Sequence, residues 1–90
     1  MEIKLAVIGC GKWGRNHVKT AHKILNQNLL SVCDINSSNS IRVEQISKNI
    51  KFTTNIDDVI NNKAINAVII ATSAETHFEI AKKCLIAKKN

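Results

Sequence analysis

Proline and tyrosine are absent from this 90-residue sequence, and glycine, cysteine and histidine occur three times each. With no stretch of Pro, Gly or low complexity and no internal repeat, nothing marks a linker or a solenoid, so the chain reads as one domain or part of one. Cys10, Cys33 and Cys84 are odd in number and far apart, with no CxxC pair. That spacing suits neither a disulfide framework nor a zinc site, and the apolar context of each predicts a small buried thiol. His17, His22 and His77 show no metal-ligand spacing. No apolar run approaches the roughly 20 residues that span a bilayer. The opening MEIKLAVIG lacks the basic segment, long apolar segment and small-residue cleavage site of a secretory signal. A cytoplasmic protein with no membrane partner is expected.

Aromatic residues are scarce too: only Trp13, Phe52 and Phe78. This bears on the charge, which is +6 from 13 Lys and Arg against 7 Asp and Glu. Basic excess raises the question of nucleic acid, but residues 1–45 and 46–90 each carry +3, with no stripe or arm and no interleaved stacking residues. No nucleic-acid partner is expected; the charge favours small anionic ligands. Hydrophobic residues at 44% and charged residues at 22% are ordinary for a globular chain and exclude disorder.

The hydrophobic pattern alternates between two periods. Ile3–Ile8 is a nearly continuous apolar run, as in a strand buried on both faces. From Lys12 to Asn26, Trp13, Val18, Ala21 and Leu25 recur at helical spacing. Leu29–Cys33 reads as a second strand closed by Asp34, and Asn36 as the N-cap of a helix to about Lys48 with Ile41 and Ile46 facing inward. Lys51–Thr54 is a brief third strand. Asn55 and Asp58 have capping-box spacing before a short helix to Ile60. Ile65–Ala71 is the strongest strand signal, rich in β-branched residues. Ser73 can cap a last helix, Ala74–Ala87, with Ala81, Cys84 and Leu85 sharing a face. Strands alternating with helices require right-handed crossovers, hence an α/β fold: a doubly wound parallel sheet of four strands, order 3-2-1-4, with helices on both faces. Strand Ile65–Ala71 then becomes an apolar edge through which the chain can self-associate.

All three glycines fall in one motif, Gly9-Cys10-Gly11-Lys12-Trp13-Gly14, between the first strand and the first helix. Three glycines scattered at random would meet this GxGxxG register roughly once in a thousand trials. Gly9 permits the tight turn, Gly11 admits a pyrophosphate close to the backbone, and Gly14 lets the helix pack closely. Asp34 lies twenty residues after Gly14, where a carboxylate can accept from both hydroxyls of an adenosine ribose. It would repel a 2′-phosphate, so NAD is favoured over NADP; Arg42 lies further along the next helix. The alternative is that Asp34 merely caps the following turn. A methyltransferase would usually place an acid two positions before the first glycine, where Val7 stands.

Ala6–His17 (AVIGCGKWGRNH), Val32–Asn36 (VCDIN) and Ile65–Lys89 together resemble the amino-terminal, Rossmann-like domain of the Gfo/Idh/MocA oxidoreductases. The resemblance implies a dinucleotide cofactor and, in a full-length parent, hydride transfer to or from a sugar, nucleotide sugar or polyol. It also implies cofactor-binding roles. Gly9, Gly11 and Gly14, with the Lys12 and Trp13 amides, would hold the pyrophosphate, and Asp34 the ribose. Trp13 would lie toward the nicotinamide or anchor the first helix in the core. Ala71, Thr72 and Ser73 correspond to an Ala-Thr-Pro turn lining the cofactor, with Ser73 in place of proline. His77 matches a frequent histidine of the last helix, as cofactor contact or structural residue. By the same resemblance, Ala87–Asn90 leads toward a Glu-Lys-Pro strand, a catalytic Asp and His, and a substrate domain, none of which lies within the 90 residues. The expectation is an incomplete dinucleotide-binding domain with no catalytic residue. Two alternatives stand beside it, a self-sufficient dinucleotide-binding module and an inactive remnant.

Overall fold

The computed structural model describes residues 2–72 and 74–87, with positions 12, 13, 74 and 75 described by backbone alone. Four strands, β1 (Leu5–Ile8), β2 (Leu29–Cys33), β3 (Lys51–Thr53) and β4 (Ala67–Ile70), form one parallel sheet in the order β3-β2-β1-β4. Helices α1 (Lys12–Leu25), α2 (Ser40–Ile46), α3 (Asp57–Ile60) and α4 (Ala74–Ile86) fill the crossovers. Strand order and helix placement agree with the doubly wound reading.

The sheet is covered on both faces because its central strand is apolar at every position. Leu5 and Val7 of β1 pack with Val18 and Ala21 of α1 and Val43 of α2. Ala6 and Ile8 point the other way, to Val59, Ile65 and Cys84. This two-sided burial is why Leu5–Ile8 shows no alternation. Asn66 sets the register of β4 on β1: its Oδ1 accepts from the Lys4 amide at 2.9 Å and its Nδ2 donates to the Glu2 carbonyl at 2.8 Å.

Several expectations are corrected. Ile41 is 61% exposed, and Val43 is the inward residue of α2. The reason lies in the cap. Asn36 Oδ1 accepts from the Ser38 amide and opens a 3₁₀ turn, Ser37–Asn39, so the α-helix starts only at Ser40 and its phase shifts. On α4, Cys84 is buried but Leu85 is 71% exposed, because Ile80 and Cys84 face the sheet. At α3, Asn55 Oδ1 caps the Asp57 amide, yet Asp58 does not reach back to Asn55. Thr53 intervenes: its hydroxyl donates to Asp58 Oδ2 at 2.5 Å and accepts from the Asn55 amide at 3.1 Å. Strands β1 and β4 are shorter than the expected Ile3–Ile8 and Ile65–Ala71, since only residues with a ladder partner are held extended. The capping role of Ser73 lies outside the described residues.

Candidate functional site

The C-terminal ends of the strands open onto a cleft of about 490 Å³. It lies where the chain order reverses, with β2 on one side of β1 and β4 on the other, the usual ligand position in an open α/β sheet. The β1–α1 loop supplies Gly9 and Gly11, the end of β2 supplies Asp34 and Ile35, and the exit of β4 supplies Ala71 and Thr72. Thr54 and Ile56 after β3, and Thr76, Glu79, Ile80 and Lys83 of α4, complete the walls.

The three glycines have three different environments. Gly9 has φ +99°, and a Cβ there would lie 2.8 Å from the Ala71 carbonyl carbon and oxygen. Only glycine makes this turn without strain. The turn is held on both sides, by the Gly9 amide donating to the Cys33 carbonyl at 2.7 Å and the Ala71 amide donating to the Ile8 carbonyl at 2.8 Å. A Cβ on Gly14 would overlap the Gly9 carbonyl oxygen and lie 2.6 Å from its carbon, so α1 rests directly on the loop. A Cβ on Gly11 would meet nothing within 4 Å. The space beside Gly11 is open.

Gly11 is also the N-cap of α1 and has no side chain to satisfy the first amides. Helical bonding begins with the Arg15 amide on the Gly11 carbonyl at 2.9 Å, so the Lys12, Trp13 and Gly14 amides have no intrahelical acceptor. No acidic residue stands in the first turn to neutralise the positive end of the helix. The chain thus leaves an anion-binding terminus uncovered at the cleft.

Asp34 performs the capping role and more. Its Oδ1 accepts from the Asn36 amide at 2.8 Å, and its Oδ2 accepts from the Cys10 amide at 2.6 Å. The carboxylate therefore fastens the glycine loop to the tip of β2 across 24 residues of sequence. A carboxylate offers about four lone-pair sites, so two remain for other donors. Burial, then the nearby Asp34 charge, raises the Cys10 thiol, against smaller opposing effects of Arg42 and Arg15. Cys33 is pushed up to about 11 by burial, then by Asp34 and Asp58. Both thiols stay protonated at neutral pH and act as small apolar groups, and all three cysteines are free and buried.

Thr72 Oγ1 is buried at the cleft with no hydrogen-bond partner. His77 is exposed on α4 and is not among the cleft-lining residues; Gly14 lies beneath the loop. Lys12 and Trp13 place their backbone in the first turn of α1, while their side chains, like Ser73, lie outside the described residues. Sequence reasoning missed Ile35, Thr54, Ile56 and the cleft face of α4. Ile35 is 93% exposed beside Asp34, and an isoleucine directly after the strand-end acid was the available signal. Among the described residues no group of three or more His, Cys, Asp or Glu is placed to hold a metal ion, and no helix is long and apolar enough to cross a membrane.

A parallel sheet in this order, with a glycine elbow at its switch point, defines a dinucleotide-binding Rossmann domain. More narrowly, residues 3–90 match the profile described as oxidoreductase family, NAD-binding Rossmann fold, and the chain belongs to this Gfo/Idh/MocA family as an NAD-binding domain. It is 32% identical to inositol 2-dehydrogenase 1 of Paenarthrobacter aurescens over 85 residues, covering 92% of this chain and 25% of that protein. Myo-inositol dehydrogenase of Lactobacillus casei, solved in complex with NAD(H) and myo-inositol, superposes with a TM-score of 0.86 at 25% identity, over 99% of this chain and 27% of that one. UDP-N-acetylglucosamine 3-dehydrogenase of Acidithiobacillus ferrooxidans shares the fold, with a TM-score of 0.85 at 24% identity over 100% of this chain and 28% of its own. The chain spans about a quarter of the length of these relatives.

Proposed function

We propose that the cleft binds NAD, and that residues 1–90 serve as the cofactor-binding portion of an oxidoreductase acting on a sugar, nucleotide sugar or polyol. The observation that carries this reading is the juxtaposition at Gly11. Open space, first-turn amides without an intrahelical acceptor and a positive helix end meet where a diphosphate would cross the loop. The residues present fit the cofactor. The Lys12, Trp13 and Gly14 amides would hold the diphosphate, and the unpaired Thr72 hydroxyl faces the same cleft with a donor and acceptor to offer. Asp34 would use its two remaining lone-pair sites on the adenosine ribose hydroxyls. Its charge would repel a 2′-phosphate, which supports NAD over NADP.

NAD supplies hydride chemistry when bound; this chain's residues bind and orient it. Substrate positioning and proton transfer would come from a substrate portion such as the relatives' remaining three-quarters of chain, and the named substrates of those relatives support the polyol and nucleotide-sugar assignment. The proposed setting is the cytoplasm, in keeping with three free, buried thiols.

Calorimetric titration with NAD and NADP tests the reading. Saturable NAD binding, weaker NADP binding, and loss of affinity in Gly11→Ala and Asp34→Ala are expected, with no turnover of sugars or polyols by the 90-residue chain. Absence of NAD binding in a folded chain would favour the inactive remnant. Binding of NAD with no gain of activity in any longer form would favour the self-sufficient module.

A further inference from the structure

The peptide plane between Gly9 and Cys10 has a neighbour on each of its two sides. Its N–H donates to Asp34 Oδ2 at 2.6 Å, a partly buried bond across the top of the sheet. Its C=O meets α1: a Cβ on Gly14 would overlap the Gly9 oxygen and lie 2.6 Å from the carbonyl carbon. One plane therefore links the tip of β2 to the first turn of α1, whose amides lack an intrahelical acceptor.

The two ends of this plane are pinned, but its rotation is not. The Gly9 amide is bound to the Cys33 carbonyl at 2.7 Å, and the Cys10 side chain is fully buried in the core. Glycine stands on either side of Cys10, and Gly9 has φ +99°, so the backbone torsions around Cys10 are loosely restrained. Neither the Gly9 amide nor the Cys10 thiol sets which way the plane faces. The Cys10 N–H, given to Asp34, does.

We propose that Asp34 is a positioning residue for the diphosphate cradle, acting through the Gly9–Cys10 peptide plane; this rests on reading the opening beside Gly11 as an anion site. With the plane held, the Gly9 carbonyl lies against Gly14 and seats the first turn of α1. Released, the plane rotates, Gly14 loses its seat, and the Lys12, Trp13 and Gly14 amides no longer converge.

Charge and positioning act here with opposite signs. Coulomb's law alone says that removing a carboxylate strengthens a nearby anion site. Positioning says that anion affinity falls although a negative charge has gone. Asparagine separates the two, because it is uncharged yet keeps an oxygen acceptor. Of the two amides that Asp34 accepts from, Cys10 is partly buried and Asn36 exposed. The asparagine oxygen therefore turns to Cys10, where an unmet bond costs more, and its NH2 turns to the solvent side.

Titration calorimetry of the 90-residue chain with inorganic pyrophosphate is the test, since this probe has no ribose for Asp34 to touch. The native chain should bind it, and Asp34→Ala should bind at least about fivefold more weakly, the scale of one lost hydrogen bond. Asp34→Asn should bind as tightly as the native chain or more so. Without ligand, amide exchange at Cys10 should be fast in Asp34→Ala and slow again in Asp34→Asn. Pyrophosphate affinity unchanged or raised in Asp34→Ala would overturn the proposal and leave the anion site standing. An Asp34→Asn variant as weak as Asp34→Ala would overturn it too. Where alanine unfolds the chain, the isosteric Asp34→Asn carries the test, and fast exchange at its Cys10 amide sinks the positioning role. A native chain indifferent to pyrophosphate would remove the anion site itself, and the positioning role with it.

Discussion

Two glycines of one motif, Gly11 and Gly14, stand three residues apart and should fail in opposite ways when given a methyl group. In Gly14→Ala the new Cβ overlaps the Gly9 carbonyl oxygen, and the obstacle is backbone rather than a side chain that could swing aside. Helix α1 must lift by about an ångström, loosening Val18 and Ala21 from β1. Overpacking of this kind costs roughly 1–3 kcal/mol, of which alanine's better helix propensity returns about 1 kcal/mol. Because the obstacle is rigid backbone, the cost falls at the upper end of that range, and a net loss of about 2 kcal/mol lowers the melting temperature of a domain this size by roughly 8–16 °C. In Gly11→Ala the Cβ meets nothing within 4 Å and φ is −76°, so the backbone is unstrained. Weaker N-capping and reduced unfolded-state entropy nearly cancel, and stability should stay within about 0.5 kcal/mol of the parent. The methyl instead occupies the space assigned to the diphosphate, and NAD affinity should fall at least tenfold, about 1.4 kcal/mol. Thermal unfolding by circular dichroism and NAD titration of the two variants give a two-by-two outcome. Native stability in Gly14→Ala, or native NAD affinity in Gly11→Ala, would refute the division of labour.

Three further expectations use other parts of the site. Asp34→Ala should weaken NAD by roughly 1.5–3 kcal/mol, the range for a charge-assisted hydrogen bond, and narrow the preference over NADP. It should also speed amide exchange at Cys10, which a residue touching only the ribose would not do. Thr72→Val removes a buried hydroxyl that lacks a partner, so the cofactor-free chain should gain up to about 1 kcal/mol while NAD binds less tightly. The raised thiols give a pH signature. Below pH 9, the ordinary value, folded and unfolded thiols are both protonated and stability is indifferent to them. Above it the unfolded chain ionises first, so stability should fall as pH rises from 9 toward the folded value of about 11 for Cys33. Denaturation midpoints should be flat on this account from pH 7 to 8.5, and Cys33→Ala should lessen the alkaline decline.

Element order, sheet topology and the glycine motif were legible in the sequence because each is written in short-range pattern. An apolar run means a strand buried on both faces, and a 3.6-residue period means a helix. Three glycines in register mean a turn that admits backbone but not side chains. Asp34 was legible for the same reason, by its distance from Gly14 along a strand–helix–strand unit. Helix phase was not. A single polar side chain, Asn36, chose a 3₁₀ turn over an α-helical start and so sent Ile41 outward and Val43 inward. Thr53 likewise replaced Asp58 as the partner of the Asn55 amide, a competition decided by where β3 ends.

The sequence by itself therefore determined the class of the protein: alternating strands and helices, and one loop able to carry a diphosphate. Only the tertiary structure decided which groups stand around that loop. The bond from the Cys10 amide to Asp34, the close approach of Gly14 to the Gly9 carbonyl, and the α4 flank of Thr76 and Lys83 join residues far apart in the chain or in different elements. Periodicity reports which face of an element is buried; it carries no information about what lies across the gap, because that is set by how the packed elements meet.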